Sequence, residues 1–195
     1  MKNPTDNPWT LLSERVAYES PWIQVNHHEV LNPVGNPGTY SVVHFKKWAI
    51  GILPIDEEGY TWVVGQYRYP IAQYSWEIPE GGGDIDVEPV VSAQRELLEE
   101  TGLVAGKWEL IQQMYLSNSA TDELAFIFLA TQLTQEKPEP EETEQLQIRK
   151  LHFNELYELV VKGEVLDSLT VAAVLKLRLL ITEGKFSLPD SARKQ

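Results

Sequence analysis

Apolar residues recur along this chain in two rhythms, one of period two and one of helical period. Between Thr10 and about Lys46 three short β-like runs follow one another, TLLSERVAY, WIQVNHHEVL and TYSVVHFK. Glu19-Ser20-Pro21 and the Pro33–Gly38 cluster separate them, so the pattern predicts a three-stranded meander. Three short strands are too small to stand alone and should pack on something larger. Ala49–Ile55 and Thr61–Tyr67 then read as a hairpin across the Asp56-Glu57-Glu58-Gly59 turn. Further along, Lys107–Leu116 and Leu124–Leu133 are β-like and flank the polar loop 117–123, SNSATDE, and Gln147–Phe153 suggests another strand. Helical spacing appears three times. Val90, Ala93 and Leu97, with Val91 and Leu98 beside them, define a helix that Asp86 or Glu88 can cap. Pro89 suits its first turn and Gly102 stops it. Phe153–Lys162 is an amphipathic helix ended by Gly163, and Ser168–Glu183 a more apolar one between Asp167 or Ser168 and Gly184. Residues 1–8, the charged stretch 134–145 and the tail 191–195 read as frayed or solvated segments.

Composition narrows the function. A chain of 195 residues with 43% hydrophobic residues holds one sizeable domain, or a small one joined to a typical one. A net charge of −13 argues against a nucleic-acid partner, because phosphate-backbone binding rests on Lys and Arg. An acidic protein that binds a phosphorylated small molecule needs metal ions to do so. With no cysteine, disulfides, thiolate zinc and cysteine nucleophiles are excluded. The start shows no secretory pattern and no apolar run is long enough to span a membrane, so a cytoplasmic location is expected.

The chemistry concentrates in Gly81–Leu103, GGGDIDVEPVVSAQRELLEETGL, read as a flexible loop feeding a helix. Spacings of three and four residues put Glu96 beside both Glu99 and Glu100. Each like-charged pair costs the helix about 0.2–0.5 kcal/mol, and Arg95, four residues before Glu99, offsets only part of it. A divalent cation would remove the conflict, and an oxygen-only ligand set suits Mg²⁺ or Mn²⁺. The plainer reading is a solvated acidic face. Upstream, Arg68 offers a guanidinium matched to phosphate geometry, or an ordinary salt bridge. Glu80, just before the glycines, offers its backbone carbonyl as a hard ligand. Trp9, Tyr18, Trp22 and Trp76 can stack on a base or simply pack. His27 and His28 are neighbours on a strand, face opposite sides, and read as surface or packing residues.

Gly81, Arg95, Glu96, Leu97, Glu99, Glu100, Gly102 and Leu103 fall in register with a frame that resembles the Nudix box. One position departs: Val87 stands where the frame has its first Glu, with Glu88 one place late. Beyond the box the chain resembles the ADP-ribose pyrophosphatase branch. Gln66-Tyr67-Arg68-Tyr69-Pro70, the Trp76-Glu77-Ile78-Pro79 entry, the 117–123 loop and the segment 163–173 carry that likeness. The loop has Asn118 and Ser119 where that branch has Pro and Gly.

The resemblance implies an α+β fold: a Nudix α/β/α sandwich with a mixed central sheet, preceded by a small antiparallel β subdomain. The division would fall at residues 1–46 and 47–195, with the first part exchanged in a homodimer. It implies metal ligands Glu96, Glu100 and the Glu80 carbonyl, with Glu99 assisting. Glu123 would orient or deprotonate the attacking water, and Glu99 and Arg95 complete the catalytic set. Arg68, Gly81, Gly82 and Trp22 would contact the substrate. The expected reaction is Mg²⁺-dependent cleavage of a nucleoside diphosphate sugar, ADP-ribose first, into nucleoside monophosphate and sugar phosphate. The alternatives are another nucleotide substrate (ADP-glucose, GDP-mannose, a dinucleoside polyphosphate) or a sensor of the same fold that binds without cleaving.

Overall fold

A computed structural model describes residues 5–136 and 146–188, arranged as two compact units. Residues 1–4, 189–195 and, in the charged stretch 134–145, everything from 137 onward lie outside the described residues. The first unit takes in the chain up to Lys47 together with Tyr115–Glu123; the second holds Trp48–Met114 and everything from Leu124 onward.

The first unit is the expected meander. Strands β1 (Thr10–Glu19), β2 (Ile23–Leu31) and β3 (Pro37–Phe45) pair antiparallel in that order. Their turns are built by side chains. Ser20 Oγ accepts from the Trp22 and Ile23 amides at 3.3 and 3.2 Å, and Asn32 Oδ1 from Val34 and Asn36 at 3.1 and 2.9 Å. Gly35 supplies the positive φ that the second turn requires, +86°. Every residue of β1 is exposed, and Val30 is the one buried residue of these three strands.

In the second unit, β4 (Lys47–Pro54) and β5 (Tyr60–Arg68) form where the sequence suggests, and the turn between them closes. Asp56 Oδ1 accepts from the amides of Glu58 and Tyr60 at 2.9 and 2.8 Å. The strands are nevertheless not a hairpin. β4 lies inside a four-stranded sheet between β7 (Glu80–Asp84) and β9 (Leu124–Gln135), with β8 (Leu103–Tyr115) outside β9. β5 lies in a second sheet between β10 (Gln147–His152) and β6 (Gln73–Glu77). The reason is in the side chains: Ile50 to Pro54 is apolar at successive positions and buried on both faces, the mark of a strand flanked on both sides. β4 and β9 run parallel, Ile50 opposite Phe126 and Ile52 opposite Phe128, so the sheet is mixed.

Helix α1 (Pro89–Thr101) packs Ala93 and Leu97 on Ile50, Ile52, Phe126 and Phe128. Gly51, between those isoleucines, points the other way, where a Cβ would touch Leu169 of α3 (Ser168–Thr182) at 3.4 Å. The four-stranded sheet thus has α1 on one face and α3 on the other, the sandwich expected. The shorter helix α2 (Phe153–Val161) begins directly after β10. The helix boundaries match the glycine stops: Gly102, Gly163 and Gly184 all take positive φ. Glu88 takes the N-cap position of α1 without a side-chain cap bond, whereas Asp167 caps α3 by accepting from the Thr170 amide at 2.7 Å. No helix among the described residues is long and apolar enough to cross a membrane.

Leu97 is wholly buried under α1. Leu97→Ala should destabilise the protein by about 2–5 kcal/mol, read as a lower urea midpoint at unchanged slope.

Candidate active site

The Gly81–Gly83 segment is a strand, not a flexible loop: it forms the middle of β7 at the edge of the mixed sheet. Its glycines are there for clearance, since none of them takes a positive φ. A Cβ on Gly81 would collide with the Glu96 carboxylate. One on Gly83 would meet Ile50 Cγ1 at 2.9 Å and Ser92 Oγ at 3.1 Å. Bare backbone lets α1 close onto the strand, and the carboxylates of α1 come with it.

This placement changes the meaning of the acidic helix face. Glu96 and Glu100 are 9% and 3% exposed, so they are not a solvated charge pattern. Isolated carboxylates would be held there at a cost of several kcal/mol, so their partners matter. Glu100 Oε2 accepts from the Glu80 amide at 3.0 Å. Arg95 lies across the face, donating to Glu96, to Glu99 Oε2 at 2.6 Å and to the Gly82 carbonyl at 3.0 Å. Arg95 therefore ties α1 to β7 while holding two glutamates.

A second group of charges sits at the entry to β7. Arg68, at the end of β5, donates from Nε to both Glu77 oxygens at 3.0 Å, and from one terminal nitrogen to Glu77 at 2.6 Å and Glu80 at 2.7 Å. Burial works against its charge, but the hydrogen bonds and charge of Glu77 outweigh that and raise its pKa. Oxygens of Glu77, Glu80 and Asp167 all lie within 4.8 Å of one another, which holds for no other acidic trio among the described residues. Glu80 Oε2 is buried there without a hydrogen-bond partner. Burial, then the charges of Asp167 and Glu77, push the Glu80 carboxyl well above the ordinary carboxylate range despite Arg68. Thr170 Oγ1 donates to Asp167 at 2.8 Å and accepts from the Ile78 amide at 2.9 Å. The turn Glu77–Glu80 is thereby fastened to β5 on one side and to the start of α3 on the other.

Of the residues singled out from the sequence, Arg68, Glu80, Gly81, Gly82, Arg95, Glu96, Glu99 and Glu100 belong to the second unit and are linked as described. Glu123 and Trp22 belong to the first unit. Glu123 ends the 117–123 loop; burial, and next the charge of Asp122, raise its pKa above the usual carboxylate value. Trp22 is 69% exposed. Trp76 packs edge-on against Tyr74 with ring centroids 5.6 Å apart, and Trp9 likewise against Tyr40 at 5.4 Å. Sequence reasoning passed over Glu77 and the Glu80 side chain, and saw Asp167 only as a helix cap. Their meeting joins positions some 90 residues apart, as the Ile78–Thr170 bond also does, and no local spacing signals it.

The donor set suits a divalent cation: two buried carboxylates, a third beside them, and a strand without side chains facing them. Next to it, Asp167→Asn keeps a capping oxygen for α3 and offers an N–H to Glu80 Oε2 in place of a like charge. A gain of about 1 kcal/mol follows, or about 2–4 °C in Tm. Thermal unfolding in chelator at neutral pH checks this; an unchanged or lower Tm would contradict it.

The profile of the Nudix domain family matches residues 45–169, and that of the nucleoside diphosphate sugar hydrolase N-terminal domain matches residues 9–43. The ADP-ribose pyrophosphatase of Bacillus subtilis (strain 168) is 35% identical over 133 residues, 67% of this chain and 72% of that protein. The ADP-ribose pyrophosphatase of Mycobacterium tuberculosis (strain ATCC 25618 / H37Rv) is 29% identical over 181 residues, covering 91% and 86%. A crystal structure of an ADP compounds hydrolase shares the fold, with a TM-score of 0.81 over 91% of this chain and 97% of that one at 20% identity. Glycine strand, carboxylate-bearing helix and sandwich thus coincide with a profile that spans well over half of the sequence, and the chain belongs to the Nudix hydrolase family.

Proposed function

We propose that this protein hydrolyses the diphosphate bond of a nucleoside diphosphate sugar, ADP-ribose first, to a nucleoside monophosphate and a sugar phosphate. The burial of Glu96 and Glu100 on one face of α1, against a strand cleared of side chains at Gly81, carries the reading. The names of the relatives from Bacillus subtilis and Mycobacterium tuberculosis support the substrate.

Glu96, Glu100 and the Glu80 carbonyl would hold Mg²⁺, or Mn²⁺ in its place, with Glu99 assisting. The cation would supply positive charge against the diphosphate and acidify the attacking water. Arg95 fixes Glu96 and Glu99 in place through its three bonds. The Glu80 amide orients Glu100. Arg68, already tethered to Glu77 and Glu80, presents its half-exposed guanidinium to a phosphate. Gly81 and Gly82 allow the diphosphate to approach bare backbone, and the exposed ring of Trp22 is available for the base. Glu123 accepts the proton of the attacking water; the water oxygen joins one phosphorus as that phosphorus loses its bond to the bridging oxygen, which leaves with the other phosphate. Catalysis of this kind is positioning plus electrostatic stabilisation.

A homodimer formed through the first unit belongs to the same reading, supported by the exposed apolar side chains of Leu11, Val16 and Tyr18 on β1. So does a cytoplasmic location.

The test is release of nucleoside monophosphate from ADP-ribose, ADP-glucose, GDP-mannose, UDP-glucose and a diadenosine polyphosphate in Mg²⁺. ADP-ribose should turn over fastest; tight binding without release from any of them would favour a sensor. Glu100→Gln should lower turnover by about 10²–10³-fold, the scale of losing one preorganised electrostatic group, while the urea midpoint holds. With the Glu123 pKa raised by burial and by Asp122, the acid limb of the kcat/KM profile should lie at higher pH than an ordinary glutamate would give. Asp122→Asn removes a like charge and should move that limb to lower pH; an unmoved limb would exclude Glu123 as the base.

A further inference from the structure

β3 is an outer strand of the first unit, so its free edge would otherwise expose unpaired backbone groups. The loop that ends in Glu123 covers that edge. Val43 N donates to the Ala120 carbonyl at 2.9 Å and Asp122 N to the Val43 carbonyl at 3.3 Å, forming a parallel bridge between Val43 and Thr121. Tyr40 OH donates to the Ser119 carbonyl at 2.6 Å. The Asp122 carboxylate binds twice: Oδ1 accepts from the Phe45 amide at 2.9 Å, and Oδ2 meets His44 Nδ1. The loop is also wound on itself. Ala120 and Thr121 amides donate to the Ser117 carbonyl at 3.0 and 2.9 Å, and Leu116 N closes its base on the Glu123 carbonyl at 3.1 Å.

These bonds are more than edge protection needs. Two bridge bonds would cover the edge, yet a charged side chain is also spent on a β3 amide and a β3 imidazole. That side chain belongs to the residue directly before Glu123. The first unit therefore fixes the backbone from which Glu123 projects.

We propose that Asp122 is a positioning residue, clasping the loop to β3 through Phe45 N and His44, so that the N-terminal sheet sets where the Glu123 carboxylate stands. Tyr40 is a second, weaker fastening. The proposal rests on Glu123 as the base, and it gives the small sheet a role in the chemical step. A displacement of about 1 Å at a reacting group can cost about 10²-fold in rate, so release of the clasp should be read in kcat.

The experiment uses the full chain, Mg²⁺ and ADP-ribose. Asp122→Ala should lower kcat by about 10–100-fold with KM within about twofold. Amide hydrogen exchange should quicken at residues 117–123 and at Val43 and Phe45, and stay unchanged in α1. Asp122→Asn, which keeps an acceptor for Phe45 N, should return kcat to within about threefold of the parent. Tyr40→Phe keeps the ring against Trp9, loses only the bond to Ser119, and should lower kcat by a few fold without unfolding the protein. Normal kcat in Asp122→Ala, a loss confined to KM, or unchanged exchange in the loop would overturn the proposal. Glu123→Gln separates the two layers. If it is inactive while Asp122→Ala turns over normally, positioning alone fails; if it keeps full turnover, the base assignment fails and positioning falls with it.

Discussion

Two carboxylates taken out of water on one turn of a helix are the constraint that the rest of this structure serves. Glu96 and Glu100 are buried where α1 lies on β7. Burying carboxylates without strong partners costs more than a protein of ordinary stability can lose. The neighbouring features reduce that cost. Gly81 withdraws its side chain so that the Glu96 carboxylate has room. The Glu80 amide points at Glu100, and Arg95 spans Glu96, Glu99 and the β7 backbone. On the same buried side of the helix, Ala93 and Leu97 seat it on the sheet core. A divalent cation bound at this face would lower the cost further.

Around this lies a brace of a different character. Arg68 grips Glu77 and Glu80, while Asp167 and Thr170 receive the same turn at the head of α3. Two carboxylates share one guanidinium there with Asp167 close beside them, and Glu80 Oε2 is buried without a hydrogen-bond partner. Such a network is tense, because each added negative charge raises the cost of the others. It also fixes the backbone of Glu80, whose amide faces Glu100. Strain in the brace and order in the site are two readings of the same contacts.

The parts that were readable in advance are those set by local chemistry. The glycine stops at 102, 163 and 184, the caps and turns, and the register of Arg95, Glu96, Glu99 and Glu100 follow from neighbours in sequence. What sequence spacing could not supply was partner choice over long range. Ala49–Ile55 and Thr61–Tyr67 are joined by a good turn, yet β4 prefers β9 because its side chains need burial on both faces. Gly81–Gly83 reads as loop by composition, but glycine is there to admit a helix. Asp122 reads as a polar loop residue until β3 is seen beside it. Glu77 and Asp167 carry no local signal of each other at all. Arg68, expected to reach towards phosphate, is anchored on its protein side by Glu77 and Glu80.

The most direct measurement is anomalous diffraction from crystals of the protein soaked in Mn²⁺. The account predicts a peak between the carboxylates of Glu96 and Glu100, within ligand distance of the Glu80 carbonyl. A peak that appears only among Glu77, Glu80 and Asp167, or Glu96 and Glu100 side chains swung away from an empty α1 face, would contradict it.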